Sequence, residues 1–357
     1  MKRNESLDVL RCVAILLVIG RHFPYYDAWA KIGWIGVDLF FVLSGFLISG
    51  LLFVEYKTHG RIRFWRFVVR RGFKIWPSFY LMVGAFIGVS FIFHQDNWRS
   101  VVASLFFVQN YVPENLLPTI VGHTWSLAVE EHFYIGLPLL LIALSFNRRK
   151  DPFSAIPVIF GLTAIGCLAL RSFTMAPGDA PWGTQLRIDS LFAGVTLGYL
   201  YHFRRTSFDR LTGNFALLVA AICCLPVAFF NVQSRVMETV GLTALYIGFS
   251  FLLAWSVVRV PTNRVAQALL GPLAKVGFYS YSIYLWHTFI GRAVETNSKT
   301  FGAFWLYVGL CIGIGIVLSK VVEQPYLALR EKWFRTENLA SAASTFEEGI
   351  TSMDTQS

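Results

Sequence analysis

Apolar stretches of membrane-crossing length recur along the whole chain, separated by short segments in which Arg, Lys, Gly and Pro collect. A bilayer core about 30 Å thick takes about 20 helical residues. On that scale the pattern predicts ten spans, approximately 7–24, 34–54, 72–93, 123–145, 153–171, 187–203, 214–231, 237–258, 273–292 and 302–323. A further apolar piece, Val101 to Val112, is too short to span and is expected in the interface. The fold class implied is all-α: a polytopic integral membrane protein with about ten transmembrane helices. Residues 1–335 form one transmembrane domain. The stretch from Thr336 to Ser357 is polar, lacks helical periodicity and reads as a disordered cytoplasmic tail. The first span has the basic start and apolar run of a signal peptide. Asp8 and Arg11 interrupt that run, and no small-x-small cleavage site comes after it, so a retained helix is expected.

Loop cations set the orientation. Lys2 and Arg3 precede the first span. The second connection carries Lys57, Arg61, Arg63, Arg66, Arg70 and Arg71, and the fourth carries Arg148, Arg149 and Lys150. The sixth and eighth connections and the C-terminal flank are also basic, whereas the alternate connections hold Lys31, Arg99 and Arg235. Both termini are therefore expected in the cytoplasm, with the chain multi-pass in the inner (cytoplasmic) membrane.

Composition fits this picture: 55% of residues are hydrophobic and 15% charged, with 33 Phe and 11 Trp. A soluble domain carries about 25% charged residues. The net charge of +10 reflects the topological bias of the loops and does not argue for a nucleic-acid partner. The five cysteines, Cys12, Cys167, Cys223, Cys224 and Cys311, all fall within predicted spans without metal-ligand spacing, so free buried thiols are expected and no metal. No internal repeat of the inverted-transporter kind is evident.

The chemistry lies in the polar residues inside the spans. Ionisable groups there are costly and persist where they line a pathway or meet a partner. Arg11 and His22 are eleven positions apart, so they share a helix face about 16 Å apart along the axis. The topology puts His22, Asp38, His123, Glu130, Glu131, Arg187, Asp189 and His287 in the outer half. Arg11, Arg70, Arg71, Lys74 and Glu323 fall on the inner side. In the helix beginning near 123, His123, Glu130 and Tyr134 are spaced to share a face, with Glu131 pointing elsewhere. A cationic inner layer beneath an outer layer of His and carboxylate suits a two-substrate enzyme. The cations would hold a phosphate-bearing donor, and a His with a carboxylate neighbour would take a proton from a hydroxyl acceptor. Plainer readings stand beside these. His22 is equally a packing residue, Arg11 pairs with Asp8 one turn earlier, and Arg187 and Asp189 serve as interfacial anchors. Arg61, Arg63 and Arg66 set topology alone, and Glu323 meets a nearby cation at a helix end. Gly and Ser at 44, 45, 49, 50, 309, 313 and 315 are expected to let helices approach closely.

Several segments then become recognisable in order. They are Leu7-Asp8-Val9-Leu10-Arg11 leading to His22, Gly36-Val37-Asp38-Leu39-Phe40-Phe41 running on to Phe46, and Arg70-Arg71 before Lys74-Ile75-Trp76-Pro77. His123-Thr124-Trp125-Ser126 running through Glu130 to Tyr134, Arg187-Ile188-Asp189-Ser190, Ser280 to His287, and Glu323-Gln324-Pro325 complete the set. The chain resembles the membrane-bound acyltransferase family 3, whose members O-acylate cell-surface carbohydrates and related acceptors. The resemblance implies an acyl-CoA donor, most often acetyl-CoA, and a hydroxyl of a polysaccharide or lipid-linked sugar as acceptor. It implies that Arg11 and His22 are essential and that the Arg-rich stretch is functional. Phe73 stands where many members carry the second arginine of an R-x-R pattern, Lys74 where another arginine is common, and His132 in place of a frequent Gln. Some relatives add an extracytoplasmic hydrolase-like domain. This chain is expected to complete transfer alone or to hand the group to a separate partner.

The expected protein is thus an acetyl-CoA-dependent O-acetyltransferase with no bound cofactor. His22 is the general base and Glu130 its carboxylate. Arg11, Arg70, Arg71 and Lys74 bind the donor. Asp38, His123, Tyr134, Arg187, Asp189, His287 and Glu323 support the acceptor side. Membrane lipid surrounds it, and a homo-oligomer is compatible with the sequence. The rivals are a covalent relay on His22, a transporter of a glycolipid or small anion, and a non-catalytic scaffold. The orientation is directly testable with Asn115→Cys and Asn147→Cys, made singly in a cysteine-free background. In intact cells an impermeant thiol reagent should label the first and spare the second. The reverse pattern would invert the map.

Overall fold

The computed structural model describes residues 5–95, 97–113, 116–146, 150–175, 179–212, 216–224, 234–259, 264–294 and 300–334. Asn115, Asn147, Arg148, Arg149 and the expected tail lie outside them. The described residues form helices and no strand. The principal ones are α1 (Glu5–His22), α2 (Ile35–His59), α3 (Phe64–Ile92), α4 (Trp125–Ser145), α5 (Ile156–Thr174) and α6 (Thr184–Phe203). They continue with α7 (Leu242–Val258), α8 (Arg264–Phe278), α9 (Ser280–Val294), α10 (Phe301–Leu318) and α11 (Gln324–Trp333). Short helices Asp27–Ile32, Trp98–Leu105 and Thr119–Gly122 occupy the connections. Among the described residues six helical stretches are long and apolar enough to cross a membrane: Ile35–His59, Phe64–Ile92, Thr119–Ser145, Ile156–Thr174, Thr239–Val258 and Phe301–Trp333. Every expected span coincides with a helix, but the seventh is seen only as Ala216–Cys224, and the ninth is divided at Tyr279 between α8 and α9.

One helix boundary decides where the arginines lie. α3 begins at Phe64, not near residue 72, so Arg66, Arg70 and Arg71 project from a helix instead of lying in a loop. The hydropathy pattern ends a span at its first charges, whereas the backbone hydrogen bonds of a helix continue past them. Arg63 and Arg66 both reach Glu55 near the end of α2, at 2.9 and 3.9 Å.

Helix α2 is the centre of the bundle and packs along α6, α1 and α7. Its contact with α6 is made by glycine. A Cβ on Gly45 would lie 2.0 Å from the Leu191 carbonyl, and one on Gly194 2.2 Å from the Val42 carbonyl, so no side chain fits at either position. Gly315 of α10 makes a similar approach to Ile283, but Gly309 and Gly313 face open space and bring no helix closer. The apolar cores on either side of α2 hold Phe41, Phe53, Leu191 and Tyr199 on one side and Leu39, Val42, Tyr246 and Phe249 on the other. A third core joins α1, α3, α9 and α10 through Ile15, Phe79, Ile283 and Tyr307. Cys12, Cys167 and Cys311 are buried free thiols in these helices.

Two ion pairs fasten α2, α5 and α6. Arg187 donates to Asp38 at 2.7 Å, and Arg171 donates to Asp189 at 2.9 Å. Arg171 also donates to the Leu186 carbonyl and the Thr243 hydroxyl, tying α5 to α7. All four side chains are at most 5% exposed. Removing one member of such a pair leaves a buried charge alone, at a cost of about 3–5 kcal/mol. Arg171→Met should therefore lower the thermal unfolding midpoint of the purified protein steeply. Arg205→Ala, which breaks the half-exposed pair with Asp209, should shift it little. Equal shifts would deny the buried pairs their role.

Candidate functional site

A cavity of about 410 Å³ opens between α2, α3, α4 and α9. Its walls are mostly apolar, with Phe40, Leu43, Leu47 and Leu51 of α2 repeating at helical spacing on the cavity side. The charged lining is Arg11 of α1, Arg71 and Lys74 of α3, Glu130 of α4 and Arg330 of α11. Three of these cations are among those expected from sequence, and Arg330 is an addition.

Each of the first four charged groups has a structural setting of its own. Arg11 pairs with Asp8 one turn earlier at 3.1 Å while still lining the cavity, so the structural and the cavity roles coexist. Arg71 lies over the ring of Tyr134, with its guanidinium carbon 4.5 Å from the ring centre. Lys74 lies one helical turn beyond Arg71 or Arg70 on α3. The Tyr134 hydroxyl donates to Glu130 and therefore accepts from Ser44, whose hydroxyl is 2.6 Å away. Glu130 and Tyr134 share a face as their spacing predicts. Glu131 points away, accepting from the Trp76 indole at 3.3 Å.

Arg70 does not line the cavity. It bonds Glu331 and the Phe334 carbonyl of the C-terminal segment. Phe73 packs on the same segment, its ring 5.9 Å from Trp333 and 6.0 Å from Phe334. Phe73 thus anchors α11 where an R-x-R pattern would place a cation. Glu323 lies in the π-helical turn Ser319–Glu323 and accepts from the hydroxyls of Ser282 and Ser319 at 3.1 and 2.9 Å.

Three histidines from distant parts of the chain meet next to this cavity. The ring of His22 is 4.6 Å from that of His287 and 6.3 Å from that of His123, and the last two are 4.7 Å apart. His22 ends α1 and is exposed, whereas His123 and His287 are buried behind it. His123 falls in the turn between the helix Thr119–Gly122 and α4, and its ring turns toward α9. The Nδ1 of His22 is 3.0 Å from the Val18 carbonyl and that of His287 2.6 Å from the Tyr284 carbonyl. A carbonyl only accepts, so Nδ1 carries the proton in both and Nε2 of the neutral ring keeps its lone pair. Nε2 of His287 is buried without a partner among the described residues. His22 bonds the Val18 carbonyl, and among the described residues no hydrogen bond joins it to Glu130. Among the described residues no group of three His, Cys, Asp or Glu side chains is arranged to hold a metal ion.

Tyr284 separates the two regions. It lines the cavity, and its ring is 5.1 Å from His123 and 5.6 Å from His287. Its hydroxyl donates to the His123 carbonyl and takes a hydrogen bond from Ser126 at 2.7 Å. Asp38, Arg187 and Asp189 sit in the buried ion pairs, with the Arg187 guanidinium 5.4 Å from the ring centre of Trp125. His132, to which the sequence assigns no part, bonds Thr184 at 2.7 Å and stacks on Tyr111.

The family model for an acyltransferase domain matches residues 4–322, which carry most of the cavity lining and the three histidines. The chain belongs to acyltransferase family 3. The chain is 29% identical over 310 residues to the peptidoglycan O-acetyltransferase OatA of Listeria monocytogenes, a match covering 80% of this chain and 49% of the relative. It is 29% identical over 363 residues to the putative peptidoglycan O-acetyltransferase YrhL of Bacillus subtilis, covering 94% and 55%. A putative O-acetyltransferase of Staphylococcus aureus is 30% identical over 355 residues, covering 91% and 58%. The chain therefore spans about half the length of the curated relatives it matches. No solved structure matches it. With six helical stretches long and apolar enough to cross a membrane among its described residues, the chain is a multi-pass membrane protein.

Proposed function

We propose that the chain is an O-acetyltransferase of the inner membrane. It takes acetyl from acetyl-CoA on the cytoplasmic side and transfers it to a hydroxyl of a polysaccharide or lipid-linked sugar. The observation that carries this reading is the adjacency of a cation-lined cavity and the cluster of His22, His123 and His287, with Tyr284 lining the cavity and touching the last two. Two relatives are named for peptidoglycan, which makes cell-wall glycan the first acceptor to examine. Both termini face the cytoplasm.

On this reading Arg11, Arg71 and Lys74 hold the donor phosphates. Guanidinium groups give bidentate contacts, and the ammonium adds a point charge. The apolar wall of α2 takes the pantetheine arm and aims the thioester at the Tyr284–Ser126 partition. His22 is the general base. Its Nε2 takes the proton from the acceptor hydroxyl as the oxygen attacks the thioester carbonyl. The tetrahedral intermediate collapses, the C–S bond breaks, and the CoA thiolate takes the proton back from the imidazolium. Glu130 acts on the donor side by holding Tyr134 and balancing Arg71. His123 and His287 hold the His22 ring in place. Asp38, Arg187 and Asp189 keep the helices that frame the acceptor side in register.

The direct test is mass spectrometry of surface polysaccharide from cells with and without the chain: a mass difference names the acyl group, and fragmentation places it. In the same assay His22→Ala should abolish acylation while the protein still inserts, because losing a general base typically costs about 10²–10⁴ in rate. Near-normal acylation by well-expressed His22→Ala would remove His22 from the chemistry.

A further inference from the structure

The C-terminal helix α11 brings a cation to the cavity and an anion beside it. Arg330 lines the cavity together with Arg11, Arg71 and Lys74. The next residue, Glu331, uses one carboxylate oxygen to accept from Arg330 at 2.7 Å (Nη2) and 3.0 Å (Nε), and from Arg70 at 2.9 Å. A single oxygen thus takes three N–H donors from two guanidinium groups on two helices, an arrangement that a phosphate oxygen also makes. The Glu331 side chain is 41% exposed, against 20% for that of Arg70 and 21% for that of Arg330. Solvent reaches this ion cluster, so releasing the carboxylate to water costs little. α11 has an independent attachment, because Phe73 packs on Trp333 and Phe334. The helix can stay docked while Glu331 lets go.

We propose that Arg330 is a further phosphate-binding residue of the cavity, and that Glu331 is an internal anion exchanged for a donor phosphate group. This rests on the reading that the cavity takes acyl-CoA with its phosphates at the cationic end. Before the donor arrives, Glu331 neutralises Arg330 and Arg70 and keeps two guanidinium groups from repelling each other. A phosphate group, carrying more charge and more acceptor oxygens than a carboxylate, takes the forks in its place. Arg70 then contributes to donor binding through the same exchange, although it does not line the cavity.

The test is calorimetric titration of CoA into the purified full chain in lipid nanodiscs, with thermal unfolding run on every variant. Arg330→Gln should bind CoA about tenfold more weakly, the loss expected for a hydrogen bond between charged groups. Glu331→Gln should bind it severalfold more tightly, and the double variant should lose that gain. Arg330→Lys, which keeps the charge and loses the fork, should weaken binding without moving the unfolding midpoint. That checks the claim even where the Glu331 variant folds poorly. Unchanged affinity in Arg330→Gln and Arg330→Lys, with Arg71→Gln weakened, overturns this inference and leaves the donor reading intact. Weaker binding by a well-folded Glu331→Gln overturns the exchange and makes Glu331 a strut. Wild-type affinity in Arg71→Gln, Lys74→Gln and Arg330→Gln alike would overturn the donor reading and this inference with it.

Discussion

A charge between membrane helices needs a partner or a polar opening, and this constraint sorts the whole molecule. Asp38 with Arg187 and Asp189 with Arg171 balance each other's charge deep between α2, α5 and α6. Glu323 is satisfied by two serine hydroxyls. The charges that face open space are those around the cavity: Arg11, Arg71, Lys74, Glu130 and Arg330. The first set holds the helices together, and the second set is placed where a ligand can reach it. Both arise from the same cost of leaving a charge unpaired in a low-dielectric medium.

The glycine-mediated contact of α2 with α6 gives this sorting its geometry. With Gly45 and Gly194 in backbone contact, α2 is held rigidly by one side. Its opposite side, carrying Phe40, Leu43, Leu47 and Leu51, becomes a cavity wall. The aromatic ring of Tyr284 and the hydroxyl of Ser126 then close the cavity toward the three histidines. On the proposed reading, the donor lies on one side of Tyr284 and the histidine cluster that ends in His22 on the other. For a reaction joining a cytoplasmic donor to a surface acceptor, that separation keeps the thioester from water until the acceptor is present.

Much of this is legible in the sequence, and what is not has physical reasons. Hydropathy locates the helices because burial in lipid demands continuous apolar runs. The i, i+4 relation of Glu130 and Tyr134 places both on one face, as the structure has them. His123 falls in a turn at residues 123–124, where helical spacing alone does not fix the direction of a side chain. The meeting of His22, His123 and His287 depends on tertiary packing, which no single-sequence period encodes. Arg171 escapes the sequence reading although a signal exists: it is a lone cation closing an otherwise apolar span. Arg330 and Glu331 look like an ordinary basic flank, and only the docking of α11 against Phe73 brings Arg330 to the cavity with Glu331 beside it.

The proposed mechanism stands or falls on donor and acceptor being met from opposite sides of the membrane. Sealed inside-out membrane vesicles, with acceptor glycan trapped in the lumen, test it most directly. Acetyl-CoA labelled in the acetyl group and added to the outside does not cross the bilayer by itself. The expected result is labelled ester on the luminal glycan, dependent on the chain and lost in vesicles made with His22→Ala. Labelling of glycan added outside with the donor, and none of the glycan within, would contradict it and place both substrates on one side.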